Sequence, residues 1–382
     1  MYFIIVSVFL FLFASLNRRN ISYRVFFIFP VLVLPVIVLN IYFQGEDWVN
    51  YRNFAMSGAV LSTPELAFNF LFKALYYFSG SLYPLAVYLY YVIAFLLIYY
   101  FFCFYGNGFF ELKTRYFIFF VSGLFFIFGP TLVAEQLRQF LALIIVLFAS
   151  SKCVKRQWLH CLALVLLASF FHISAIVFIS VFFCCSFFNK KRYFIVSSIF
   201  LSIGLYFSVV SVALLSSGFV ADKVETYLKA YSFGFGIRHL ICLFYIVTYV
   251  SCIDERKLER PYLFLNRISF FGAVLMLTAV YLPFLDRYAG YFLVFMFLNV
   301  LYGVCYKKSA YVLNFISIVL FLVFTFGYYR NSIAPFDFFV FRNEINSLFF
   351  GDIDFDRRAF DIQDNQLYLM KERGMLEVRS DM

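Results

Sequence analysis

The 382 residues are 64% hydrophobic and only 14% charged, with 60 Phe and 30 Tyr, and a mean hydropathy of +0.89 excludes arrangement as a soluble core. The formal net charge of +10 would by itself fit nucleic acid, but the cations stand singly or in short clusters between apolar runs, the pattern of a polytopic membrane protein. No polar stretch before residue 330 is long enough to fold separately, so the reading is one transmembrane domain over 1–329 and a polar tail over 330–382.

The first residues, MYFIIVSVFLFLFASLNRR, lack a basic start and a small-residue cleavage site, and arginines follow rather than precede them. They read as a retained first span. Basic clusters then recur at Arg18, Arg19 and Arg24, at Lys113 and Arg115, at Lys152, Lys155 and Arg156, at Lys190, Lys191 and Arg192, from Arg256 to Arg267, and at Lys307 and Lys308. Short cation-rich loops face the cytoplasm, so each intervening apolar stretch must leave and return as a hairpin. With the first span and a last one, YVLNFISIVLFLVFTFGYY, the expectation is an all-α bundle of about twelve spans with both termini and the tail outside the cytoplasm. The stretch from Trp158 to Phe188 would make a single helix of about 46 Å, too long for one crossing of a core about 30 Å thick. The expectation is therefore a turn near SFFHISA, with His172 at its apex below the outer surface.

This construction gathers Asp47, Arg52, Glu65, Glu135, Arg138, His172, Arg238, His239, Asp286 and Arg287 at the extracytoplasmic ends of the hairpins. Ionisable groups beside hydrocarbon are costly unless paired or facing water, so their convergence marks a functional site. Plainer readings stand beside it. Glu135 and Arg138, at i and i+3, fit a simple ion pair at a helix start, and His172 fits a hydrogen-bonded core histidine. Asp286 and Arg287 could pair locally, the pair Arg238–His239 could simply end a span, and His160 reads as structural. No CxxC or HxxxH motif is present, and the three His are scattered, so no metal site is expected. GDIDFDRR resembles the start of a calcium loop but has Arg357 where that loop needs Gly. Neither a P-loop nor GxGxxG appears, so no ATP, dinucleotide or other cofactor is expected.

Arginines without a metal suit a phosphate or diphosphate, for which the guanidinium offers a planar bidentate fork. A neighbouring histidine could take a proton from a hydroxyl. Together these describe glycosyl transfer from a lipid diphosphate, whose leaving group needs charge stabilisation more than a general acid. The order of GEDWVNYRNF, PELAFNFL, LRQFLALIIVLFAS, KRQWLHCLALVLLASFFHISAIVF and DRYAGYF resembles the EpsG/Wzy group of bacterial polysaccharide polymerases, over about residues 1–330. Its most specific parts are Arg138-Gln139 at a helix start and the FHISA turn.

The resemblance implies an inner-membrane glycosyltransferase that joins undecaprenyl-diphosphate-linked oligosaccharide repeats, outside the cytoplasm, into O-antigen, capsule or exopolysaccharide. On that reading no metal acts, the partners are the lipid-linked oligosaccharide, membrane lipid and a chain-length regulator, and nucleic acid plays no part. His172 would be the base, with Asp47 as the variant; Arg138 and Arg287 would clamp the diphosphate. Asp47 with Arg52 would orient sugar hydroxyls, Glu135 would hold the Arg138 fork in place and offset its charge in the empty site, and Gln139 and Asp286 would line the same site. A type-C glycosyltransferase adding one sugar and a lipid-oligosaccharide flippase are the alternatives.

Overall fold

In the computed structural model the described residues are 2–16, 65–102, 115–129, 136–215, 235–278, 286–305 and 311–331, with positions 35, 51, 52, 55, 56, 132 and 133. All regular structure among them is helical, as the all-α expectation requires. In hydrocarbon only a helix or a closed barrel pairs every backbone N–H and C=O internally. The helices, numbered here in chain order, are α1 (Tyr2–Leu16), α2 (Leu66–Phe78), α3 (Tyr83–Tyr100), α4 (Arg115–Phe128), α5 (Leu137–Val154), α6 (Trp158–Phe171), α7 (Phe178–Phe187), α8 (Lys191–Leu215), α9 (Ile237–Cys252), α10 (Arg260–Thr278), α11 (Asp286–Cys305) and α12 (Tyr311–Asn331). Short 3₁₀ turns lie at Ile173–Val177 and Glu255–Lys257.

Among the described residues α3, α5 and α10 are long and apolar enough to cross a membrane, and several further apolar helices run 10–17 residues. The second span of the twelve-span expectation, and most of the tail from 330 on, lie outside the described residues. The stretch from Trp158 to Phe188 is broken where expected: α6 ends at Phe171, His172 takes an extended conformation, and a 3₁₀ turn leads into α7.

The helices fall into two compact units, one reaching Ile179 and one running from Ser180 to Arg330. In the first, α1 packs on α4, α2 on α3 and α6, and α5 on α3 and α6. Small side chains bring α1 and α4 close: Ser7 Oγ donates to the carbonyl of Ser122 at 2.5 Å and Ser122 Oγ to that of Ser7 at 2.7 Å. Such small-residue contacts replace a hydrophobic drive that lipid does not supply. The α2–α3 turn has left-handed backbone at Gly80 (φ 64°) and Ser81 (φ 67°), and α3 has Pro84 in its first turn, where the missing N–H costs nothing. Arg156 (φ 59°) makes the left-handed residue of a Schellman-type end to α5, with the amide of Gln157 reaching back to the Lys152 carbonyl at 2.9 Å. The chain then turns directly into α6, whose first residues, Trp158 and Leu159, are exposed.

In the second unit α10 packs on α8, α9 and α11. α10 comes close to α11 at Gly272, where an added Cβ would lie 2.5 Å from the Cβ of Phe292. That atom is fixed to the backbone and cannot swing aside. Gly272→Ala is therefore expected to separate α10 from α11 and to cost about 1–3 kcal/mol, read as a lowered thermal midpoint of the detergent-solubilised protein.

One cation counted among the loop residues is not one. Arg267 lies two turns inside α10, 3% exposed, and pairs with Glu255 through Nη2 at 2.6 Å and Nε at 3.2 Å. Its Nη1 donates to the carbonyls of Cys185 (2.9 Å) and Phe188 (2.6 Å) at the end of α7. Tyr249 of α9 donates to the same carboxylate. Lys191 gives its ammonium protons to the carbonyls of Tyr249, Val250 and Ile253 at 2.7–2.8 Å, capping α9. Both cations thus join α7, α8, α9 and α10 instead of solvating a loop.

Candidate functional site

The first unit brings three sequence-distant ionisable residues together, each at a helix end. Glu65 is the N-cap of α2, but its side chain makes no capping bond there. Arg138 is the second residue of α5. His172 is the C-cap of α6, its amide bonded to the carbonyl of Ala168 at 2.9 Å. Because α5 and α6 form a hairpin through the Arg156 turn, the start of one and the end of the other come to the same end of the unit.

A cation in the first turn of a helix opposes the macrodipole, so local helix stability does not explain Arg138. Its position is made by tertiary contacts. Arg138 Nη1 lies 2.5 Å from Glu65 Oε2, and Glu65 Oε1 lies 3.8 Å from His172 Nε2. One carboxylate thus bridges the arginine and the histidine. Tyr51 supports the guanidinium from its face, 5.5 Å from ring centroid to Cζ, with its hydroxyl 3.4 Å from Nε. On the other edge of the imidazole, Nδ1 is hydrogen-bonded to Ser174 Oγ.

Aromatic packing holds this arrangement in place. Tyr51 is buried against Phe68 and Phe72 of α2, and Tyr90 packs on the same two rings. The hydroxyl of Tyr90 donates to the Leu137 carbonyl at 2.5 Å, and that of Tyr91 to the Val133 carbonyl at 2.7 Å, so α3 fixes where α5 begins. Ring pairs Phe95–Phe140 and Phe101–Phe148 show that α3 and α5 run in the same direction. By that register α3 continues about 10 Å past the start of α5, which leaves Arg138 on a ledge below the end of α3. Exposure is graded across the ledge: the side chain of Glu65 is 7% exposed, that of His172 18% and that of Arg138 27%. The carboxylate lies behind, and the two groups that could meet a ligand lie in front.

The expected site residues are distributed as follows. Arg138 and His172 meet through Glu65, which the sequence reading gathered at the outer ends without a role. Gln139 is buried next to Arg138 on α5, and Arg52 is half-buried beside Tyr51. Asp47 and Glu135 lie outside the described residues, and the carboxylate that the structure shows on Arg138 is Glu65. Asp286 and Arg287 open α11 in the second unit, their side chains outside what is described. His239 is a buried helix cap, its Nδ1 accepting the amide of Gly236 at 2.9 Å and its ring stacked on Phe235, consistent with the end of a span. His160 is exposed in the first turn of α6.

Tyr51 and Ser174 escaped the sequence reading. Tyr51 lies within GEDWVNYRNF, yet a tyrosine among so many aromatics carries no signal of its own; Ser174 follows His172 by two residues, a spacing that only the extended backbone at His172 makes meaningful. A family model described as the EpsG family matches residues 1–342. No curated protein and no solved structure matches the chain.

Proposed function

The chain belongs to the EpsG family, and from that membership, which makes it a membrane protein of polysaccharide biosynthesis, we propose that it polymerises lipid-linked oligosaccharide repeat units. The observation that carries this reading is the meeting of Arg138 and His172 across Glu65, on a ledge inside one end of an apolar helical unit. Arg138 has the fork needed for a diphosphate, and the first-turn amides and dipole of α5 add attraction for an anion. His172 stands within reach of the same carboxylate, so an imidazolium formed there would be stabilised.

In the reaction, the terminal sugar hydroxyl of one lipid-linked unit attacks the anomeric carbon of another. A glycosidic C–O bond forms, the C–O bond to the diphosphate breaks, and its electron pair leaves with undecaprenyl diphosphate. The hydroxyl proton passes to the imidazole of His172, or to Asp47 if that residue is the base. Arg138 neutralises charge that grows on the leaving oxygen, an interaction stronger in the transition state than before it. Arg287 would complete the clamp and Glu135 hold its Arg138 fork, while Asp47 with Arg52 would orient sugar hydroxyls and Gln139 and Asp286 bind the same substrate from the extracytoplasmic side of the inner membrane. The glycosyl–diphosphate bond broken supplies the free energy for the glycosidic bond formed.

The test is a strain lacking the chromosomal copy and complemented with variants at matched membrane levels. Wild type should restore a ladder of glycan lengths. Single repeats without it, one added sugar with it, or loss of all surface glycan would separate a polymerase, a single-sugar transferase and a flippase. Arg138→Lys keeps the charge but loses the fork and the flat face against Tyr51, and should lower polymerisation about tenfold or more. Wild-type ladders from that variant would leave the Arg138–Glu65 contact as an ion pair that anchors a helix start.

A further inference from the structure

In the structure, Arg138 is bonded to a carboxylate, the same kind of group as the anion it is proposed to receive. Glu65 Oε2 takes Arg138 Nη1 at 2.5 Å, while Oε1 stops at 3.8 Å from His172 Nε2, outside hydrogen-bond range. The carboxylate therefore has one strong partner and one poised partner. Neither its helix nor its own cap position claims it, since Glu65 is the N-cap of α2 without a side-chain capping bond. Its side chain is almost buried, so on leaving Arg138 it cannot simply turn into water; the nearest polar group shown on its other side is His172.

We infer that Glu65 is an internal stand-in for the substrate diphosphate, which occupies Arg138 in the empty site and moves to His172 when the diphosphate displaces it. This inference rests on the polymerase reading and adds a regulation to it. A diphosphate oxygen brings more charge than a carboxylate and can take both edges of the guanidinium, so it wins the exchange. The freed carboxylate closes the remaining distance to Nε2 and holds the proton on that nitrogen, which fixes the tautomer and leaves Nδ1 with its lone pair. Binding of the donor then arms the base, and an empty site stays unreactive. Nδ1 is then the accepting atom, and Ser174 Oγ, hydrogen-bonded to it, passes its own proton to Nδ1 and takes the proton of the sugar hydroxyl in its place.

The two effects are separable by experiment. Farnesyl diphosphate serves as the probe, with farnesol as the uncharged control, binding to the full-length protein in nanodiscs. Glu65→Gln removes the competing charge and is expected to bind the diphosphate about tenfold more tightly while farnesol binding stays level. Its turnover of lipid-linked repeats should nonetheless fall at least about tenfold, because neutral Gln cannot arm His172. Glu65→Asp keeps the charge and withdraws it by one methylene, so it tests the same point if the Gln variant does not fold, and should also bind more tightly than wild type. Weaker or unchanged binding by the folded variants overturns the inference, because Glu65 would then only be holding Arg138 in place. Unchanged diphosphate binding by Arg138→Ala has a different meaning: it removes the clamp itself and with it the polymerase reading on which the exchange depends.

Discussion

His172→Ala is expected to reduce polymerisation by about two to four orders of magnitude, the range for loss of a positioned general base. The argument rests on position more than on residue type. His172 sits in extended backbone at the break between α6 and a 3₁₀ turn, so its ring is fixed by the main chain and further held by Ser174 on Nδ1. The alanine variant keeps the amide bond to the Ala168 carbonyl that ends α6, so the fold should persist and the diphosphate should still bind through Arg138. The measurement is the number of repeats joined per protein molecule in membrane vesicles supplied with lipid-linked substrate. His160→Ala is the control, since His160 is exposed at the opposite end of the same helix and should be nearly silent. Near-normal ladders from His172→Ala would move the base to Asp47.

A second large effect is expected in the other unit and on stability rather than on chemistry. Arg267→Leu leaves the Glu255 carboxylate buried with its charge uncompensated and strips two carbonyls at the end of α7 of their donor. Removing one member of a buried pair costs about 3–5 kcal/mol. Side-chain exposures of 4% and 8% put this pair in the buried class, where solvent cannot rescue the survivor. The double variant Glu255→Leu with Arg267→Leu should recover much of the loss, because a pair replaced by apolar groups no longer strands a charge. Thermal unfolding in detergent, followed by loss of the monodisperse peak, compares the two. Equal midpoints for the single variant and wild type would show that the pair adds nothing to stability.

The fold class and the outline of the site were legible because they follow from strong, one-dimensional signals. Apolar runs dictate helices, and the length of the stretch between Trp158 and Phe188 demanded an interruption, which the structure puts at His172. Arg138 stood out because a cation at the mouth of an oily helix has no local benefit. What the sequence hid was pairing at long range. Glu135, one turn before Arg138 and outside the described residues, is the partner that helical spacing offers; the carboxylate of Glu65, at the start of α2, meets the guanidinium across a distance in sequence that no spacing rule reaches. The register between α2 and α5 that brings these together is set by Phe68, Phe72, Tyr90 and Tyr91, whose identity differs little from that of dozens of other aromatics in the chain. Arg267 misled for the same reason: a basic residue close to a loop reads as a loop cation until Glu255, held by a short 3₁₀ turn, is seen beside it.

Trp158 turns this shortage of distinctive aromatics into an optical advantage. The chain has two Trp, and Trp158 starts the helix that ends at His172, about 21 Å away along α6. With Trp48 replaced by Phe, all indole emission would come from the end of the hairpin remote from the ledge. Trp158 is 39% exposed, so a quencher attached to lipid chains at graded depths can reach it in oriented vesicles. The depth of strongest quenching locates the Arg156 turn within one leaflet, and the leaflet in which the quencher acts fixes which side of the membrane Arg138 and His172 face. A single fluorophore native to the sequence thereby serves as a ruler for the site without a label near it.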